Sequence, residues 1–185
     1  MPSLCVNKGV IKEGPCQLTI NGDEVEVYID VEYLVKTVLP AFKKVIKSCS
    51  SIQGECKDWS DSIKEYVSKN PKHVDAAVLT LQGELRLIEL SRDNDVAKLA
   101  TELNEKLRGT YLMLSDLNLV PNVERVVYVP VVGDDRVAAE LQKKLSEALN
   151  NTSPFTKVRD MGYNFRRRLP RLSVDVKPCC GTSAQ

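Results

Sequence analysis

The sequence predicts an α/β fold: a mixed sheet flanked by helices, built from hairpins and one parallel strand–helix–strand crossover. Three observations carry this. Two aliphatic runs, 74–81 and 84–91, flank Gln82-Gly83, a turn pair between strand-like segments. From 84 to 132 the pattern passes from strand to a long amphipathic stripe and back to strand. Such crossovers place their strands parallel, with a right-handed connection. Finally, the 185 residues are 43% hydrophobic and 28% charged, enough apolar material for one core without metal staples. The expected organisation is a single domain over 1–171 and a poorly ordered tail over 172–185.

In chain order, residues 4–12 read as a short strand. Cys16 to Ile29 reads as a hairpin. Leu18 and Ile20 alternate before Asn21-Gly22, and Val25, Val27 and Ile29 alternate after it. Asn-Gly suits a primed turn because both positions tolerate positive φ. Glu24 and Glu26 fall on the opposite, wet face. Asp30 caps a helix, in which Leu34, Val35, Val38, Leu39, Phe42, Val45 and Ile46 keep a 3.6 period to Lys47. Pro40 inside that pattern predicts a kink or two abutting helices. A shorter helix starts at Asp58 or Ser60, turns Ile63, Tyr66 and Val67 inward, and stops at Asn70-Pro71.

The 74–81/84–91 hairpin carries aliphatic residues on both faces and so belongs inside the sheet. Asp93 or Asn94 opens the longest helix, with Val96, Ala100, Leu103 and Leu107 as its buried stripe and Gly109 as an expected interruption. Residues 124–132 are a nearly continuous apolar run, hence a central strand. Asp134 or Asp135 starts the last helix, with Val137, Leu141, Leu145 and Leu149 inward.

Composition excludes some classes. No apolar run approaches the ~18–20 residues that span a bilayer, and Met1-Pro2-Ser3-Leu4-Cys5 is not a signal peptide. The expected location is the cytoplasm, with no membrane partner. Neither G-x-G-x-x-G nor a P-loop occurs. Ser50, Ser51 and Ser60 lack a recognisable partner for the lone His73, which argues against a serine hydrolase. Trp59 reads as core, and Asp134-Asp135 as a helix cap rather than a cation site.

Cys5, Cys16, Cys49, Cys56, Cys179 and Cys180 show no paired metal-ligand spacing. Cys49 and Cys56 flank a short link between two expected helices and are the expected disulfide. Cys5 and Cys16 could join neighbouring strands. Disulfides in a cytosolic protein point to a hyperthermophilic source. An exposed Cys179–Cys180 pair would allow an intermolecular bridge, and with it a homo-oligomer.

Two constellations carry chemistry. The first is the hairpin, with Asp75 near its start and Glu89 near its end. Two carboxylates on adjacent strands suit a hard cation such as Mg²⁺ or Mn²⁺. The order helix, strand with Asp75, strand with Glu89, helix, strand over residues 58–132 resembles the core of the PD-(D/E)XK nucleases. The resemblance implies that Asp75 and Glu89 are metal-binding acids, followed by a lysine two positions after the second. Ser91 stands there instead. Lys98, on the following helix, is the first candidate replacement, and Arg92 is a poorer one because its proton is held too tightly. The structural alternative is that Glu89 simply pairs with Arg86 or Arg92.

The second constellation is 157–171, where Lys157, Arg159, Arg166, Arg167, Arg168 and Arg171 face a single Asp160. This is a local +5 on a chain of net charge +1, leaving about −4 elsewhere. Tyr163 and Phe165 alternate among the cations. Arginine forks bind phosphates and ring faces stack bases, so these residues are the expected nucleic-acid contacts. The expected function is therefore a non-catalytic nucleic-acid-binding protein without a cofactor, acting on single-stranded DNA or RNA through this segment and the sheet. Its architecture also resembles archaeal single-stranded-DNA-binding proteins built on helix-and-sheet domains. The alternatives are a metal-dependent endonuclease of the PD-(D/E)XK type and a structural assembly protein.

Overall fold

Residues 10–13, 16–20, 22–48, 60–61, 63–64, 66–68, 72–117, 119, 123, 125–151 and 171–179 are described by the structure, a computed structural model. The fold is α/β. Its strands are β1 (Val10–Glu13), β2 (Cys16–Thr19), β3 (Val25–Asp30), β4 (Ala76–Thr80), β5 (Glu84–Ser91), β6 (Arg125–Val132), β7 (Arg171–Val174) and β8 (Lys177–Pro178). Six form one sheet in the order β3-β4-β5-β6-β7, with β8 also on β6. β4 and β5 are the expected hairpin, antiparallel from Ala76↔Ile88 to Leu79↔Leu85, turning at Gly83 with φ +72°. β5 and β6 are parallel over their full length, Glu84↔Arg125 to Ser91↔Val132.

The N-terminal pairing differs from expectation. β2 pairs with β1, from Val10↔Thr19 to Glu13↔Cys16, in a separate ribbon, while β3 pairs with β4. A 3-10 turn over Gly22–Glu24 replaces the two-residue turn that would fold β3 back onto β2. β3 gains an aliphatic neighbour in β4. Ile20 is freed to bury against the outer sheet face, beside Leu18.

Five α-helices and one π stretch are described. α1 (Val31–Tyr33) starts at Asp30, whose carboxylate accepts from Tyr33 N at 2.8 Å. The helix then widens into a π stretch, Leu34–Val38, before α2 (Leu39–Ser48). Pro40 explains the change: its ring crowds the carbonyl four residues back and it has no N–H to donate. Leu39 N instead reaches back to Leu34 O. A third helix, α3, is helical at 60–61, 63–64 and 66–68, with Ile63 fully buried.

α4 (Val96–Asp116) begins at Asp95, not Asp93 or Asn94; its carboxylate takes both Ala97 N and Lys98 N. Gly109 does not interrupt it. A single mid-helix glycine costs only about 1 kcal/mol, and Leu103, Leu107, Met113 and Leu114 are buried on either side of it. α5 (Asp135–Asn151) is capped by Asp134, which accepts from Val137 N at 2.9 Å. Leu99, Leu103 and Leu107 of α4 and Leu141 and Leu145 of α5 pack with Leu85, Leu87 and Val126 in one core. Both crossover helices therefore cover the same sheet face.

Residues 171–179 are not an unordered tail. β7 pairs parallel with β6 from Arg125↔Arg171 to Tyr128↔Val174, and β8 from Val131↔Lys177. Leu172, Val174 and Val176 pack on the main core, which is what holds this segment. The break between β7 and β8 falls opposite Pro130. Tyr128 O accepts from Asp175 N and Val132 O from Cys179 N. Pro130, midway between those acceptors, directs its missing N–H toward the same side, so β6 keeps its ladder with β5 and loses a rung to β7 and β8.

Candidate active site

Alternation along β5 sets the site. Leu85 and Leu87 point into the helix-covered core, and Glu89 follows them on that face, while Ile88 and Leu90 point the other way. The register Ala76↔Ile88 carried one step further puts Asp75 directly opposite Glu89. Such cross-strand neighbours sit ~5 Å apart at Cβ. Asp75 is held in place: its Oδ2 accepts from Leu90 N at 2.8 Å, and its carbonyl accepts from Val31 N at 3.0 Å. The start of α1 thus abuts the same point.

α4 delivers the third group. The buried Thr110 accepts from Val74 N at 2.9 Å, tying the helix to the start of β4. Lys106 lies one turn earlier on the same helix face. Its Nζ forms an ion pair with Glu89 Oε1. Glu89 is only 2% exposed. Burial, and then the charge of Asp75, push its carboxyl up to about 7, while Lys106 and the Asp75 backbone pull it back. Beneath it lies Tyr128 of β6, fully buried and with its phenol raised well above the ordinary value by burial and by the charges of Glu89 and Asp75. Neither Glu89 Oε2 nor the Tyr128 hydroxyl has a hydrogen-bond partner among the described residues. At the rim, Lys72 pairs with Glu105 at 2.7 Å and Glu32 with Lys36.

The structure therefore brings Asp75, Glu89 and Lys106 together. Lys98 does not join them; it pairs with Asp93 at 2.5 Å at the exposed start of α4. Nor does Glu89 pair with Arg86 or Arg92. Arg86 binds Glu84 at 2.8 Å, Arg92 is exposed, and Ser91 Oγ accepts from Asp93 N at 3.3 Å. Lys106 and Tyr128 escape sequence reasoning. Lys106 borders a leucine stripe and reads as ordinary helix surface, and Tyr128 sits in an apolar run. The basic-aromatic residues Lys157, Arg159, Tyr163, Phe165, Arg166, Arg167 and Arg168 lie outside the described residues, as do Cys49 and Cys56. Arg171 is the first residue of β7.

Asp75 and Glu89 are the residues that could hold a hard cation. Mg²⁺ and Mn²⁺ are held by one or two carboxylates, keeping waters and substrate oxygens in their remaining positions. Asp75 and Glu89 supply two opposed carboxylates, and Glu89 Oε2 is a buried oxygen without a donor among the described residues. Among the described residues no group of three or more His, Cys, Asp or Glu converges. The opposite sheet face has a groove of about 590 Å³ floored by Val78, Ile88, Val127 and Val129. Most of its charges are paired internally: Glu84 with Arg86 and Arg125, Asp175 with Lys177. Among the described residues no helix is long and apolar enough to cross a membrane. No family model, no curated protein and no solved structure matches the chain.

Proposed function

We propose that the protein is a metal-dependent phosphodiesterase acting on nucleic acid, the endonuclease alternative of the sequence reading. One observation carries it: a lysine amine, from Lys106, lies beside the buried Glu89, with Asp75 on the facing strand. A bound Mg²⁺ or Mn²⁺ would supply a polarised water and charge stabilisation at the scissile phosphate. Asp75 and Glu89 would hold the ion. Lys106, released from Glu89 as the ion takes the carboxylate, would place its ammonium toward the phosphate oxygens. The strongly basic stretch from Lys157 to Arg171 supports a nucleic-acid substrate.

Non-catalytic binding of single strands is the second reading. It is favoured by the Lys106–Glu89 ion pair itself, which already engages the carboxylate an ion would need. Incubation of labelled single- and double-stranded oligonucleotides with Mg²⁺ or Mn²⁺ separates the two. Cleavage lost in Asp75→Asn, Glu89→Gln and Lys106→Met but kept in Lys98→Met supports the enzyme. Binding by the parent protein without cleavage at any temperature below its melting point sinks the enzyme in favour of the binder.

A further inference from the structure

A tyrosine buried to its hydroxyl needs a reason. Phenylalanine would fill the same space, and an unsatisfied buried hydroxyl costs ~1–3 kcal/mol. Tyr128 is 0% exposed and its ring belongs to the main core, yet its hydroxyl finds no partner among the described residues. The β5–β6 register shows where that hydroxyl lies. Leu87 pairs with Tyr128 and Glu89 with Pro130, so Tyr128 and Glu89 are neighbours on one sheet face, both beneath α4. The charges that act on the phenol are those of Glu89 and Asp75. A donor lacking an acceptor and an acceptor lacking a donor, Glu89 Oε2, therefore share one sheet face on adjacent strands without bonding each other directly.

The geometry points to Tyr128 as a positioning residue for the metal-binding carboxylate: its hydroxyl donates through one bridging water to Glu89 Oε2 and so turns Oε1 toward the ion. The inference rests on the metal-dependent reading above and adds a group to it. Without the ion, Oε1 is held by Lys106. When Lys106 leaves, the buried carboxylate keeps only its backbone contact with Asp75, and its other oxygen has nothing to fix it. A donor fixed in the sheet removes that freedom, because β6 cannot shift relative to β5 without breaking an eight-residue parallel ladder. Hydrogen bonds of this kind, behind a metal ligand, are typically worth ~10–100-fold in metal affinity.

The test is Mn²⁺ binding to the purified full chain, followed by the loss of the free-ion electron paramagnetic resonance signal, with thermal melting measured in parallel. Tyr128→Phe keeps the ring and removes the hydroxyl. It should weaken Mn²⁺ binding about 10-fold or more while the metal-free melting temperature stays the same or rises. In a Glu89→Gln background, where the metal-binding carboxylate is gone, the same change should have no effect on Mn²⁺ binding. Unchanged Mn²⁺ affinity in Tyr128→Phe, with affinity lost in Glu89→Gln, overturns the role of Tyr128 and leaves the carboxylate site standing. Unchanged affinity in Glu89→Gln, or no Mn²⁺ binding by the parent, overturns both. Should Tyr128→Phe lower the melting temperature as well, the double variant decides. A loss that persists with Gln at position 89 marks a purely structural hydroxyl and overturns the inference; a loss that vanishes supports it.

Discussion

Glu89→Gln should make the metal-free protein more stable above neutral pH. The folded chain raises the Glu89 carboxyl from 4.5 to about 7. Its folded value lies above its unfolded one, so between those limits the folded state holds a proton that the unfolded state has released. Stability therefore falls as pH rises through this window. A tenfold change in proton affinity is worth about 1.4 kcal/mol, so the ionised carboxylate costs about 3 kcal/mol once pH exceeds the folded value. Glutamine has the shape of the neutral acid and carries no such cost. Lys106, already lacking an ionic partner when Glu89 is protonated, is left no worse. Urea unfolding of both proteins in chelator, at several pH values from about 4.5 to about 8.5, measures the difference directly. It should be near zero at the acid end and grow to about 3 kcal/mol at the alkaline end. Subtracting one protein from the other cancels every other titrating group. A difference that is flat with pH, or that favours the parent at high pH, would refute the picture of a desolvated carboxylate. Saturating Mg²⁺ should narrow the gap at about pH 8, because an ion that binds only the folded parent stabilises it by mass action.

Lys106→Met should shift Glu89 further upward, since the ammonium is what holds it down; the variant should lose stability relative to the parent increasingly as pH rises, readable in the same urea series. Thr110→Val strips the acceptor from the buried Val74 N–H and should cost ~1–3 kcal/mol, seen as a lower urea midpoint with an unchanged slope. Gly83→Ala forces a side chain into a backbone at φ +72°, where open space surrounds the added carbon; the strain alone should cost ~1–2 kcal/mol, and a neutral result in thermal melting would contradict it.

Much of this fold is legible in the sequence because burial follows period. The aliphatic alternation of 74–81 and 84–91, the leucines of α4 and the cap at Asp30 each reflect a local rule that tertiary contacts reinforce. Pairing is another matter. Alternation in Leu18–Ile20 says which residues are buried together but not which strand lies beside them, so the pattern alone pairs β2 with β3 where the fold pairs it with β1. At the C-terminus, the proline, glycine and serines after Leu172 outweigh the short alternation of Leu172, Val174 and Val176 that anchors β7. Asp75 and Glu89 are recoverable because strand register is short-range and places them in opposition. Lys106 is not, because its approach to Glu89 depends on where α4 crosses the sheet. That crossing is set by leucine packing and by the Thr110–Val74 bond, neither of which follows from spacing.

Pro130 also bears on how the sheet ends. β7 and β8 form its outer rim beyond β6, and an uninterrupted rim strand would offer a row of free amides and carbonyls to a strand of another molecule. The proline one strand inward divides that rim into segments of four and two residues. At the other rim, β3 carries a register irregularity between Val25 and Val27, with the charged Glu26 exposed between them. Both margins are thus too broken to template a long foreign strand. Among the described residues, the aliphatic sheet therefore ends in short or irregular strands on both sides.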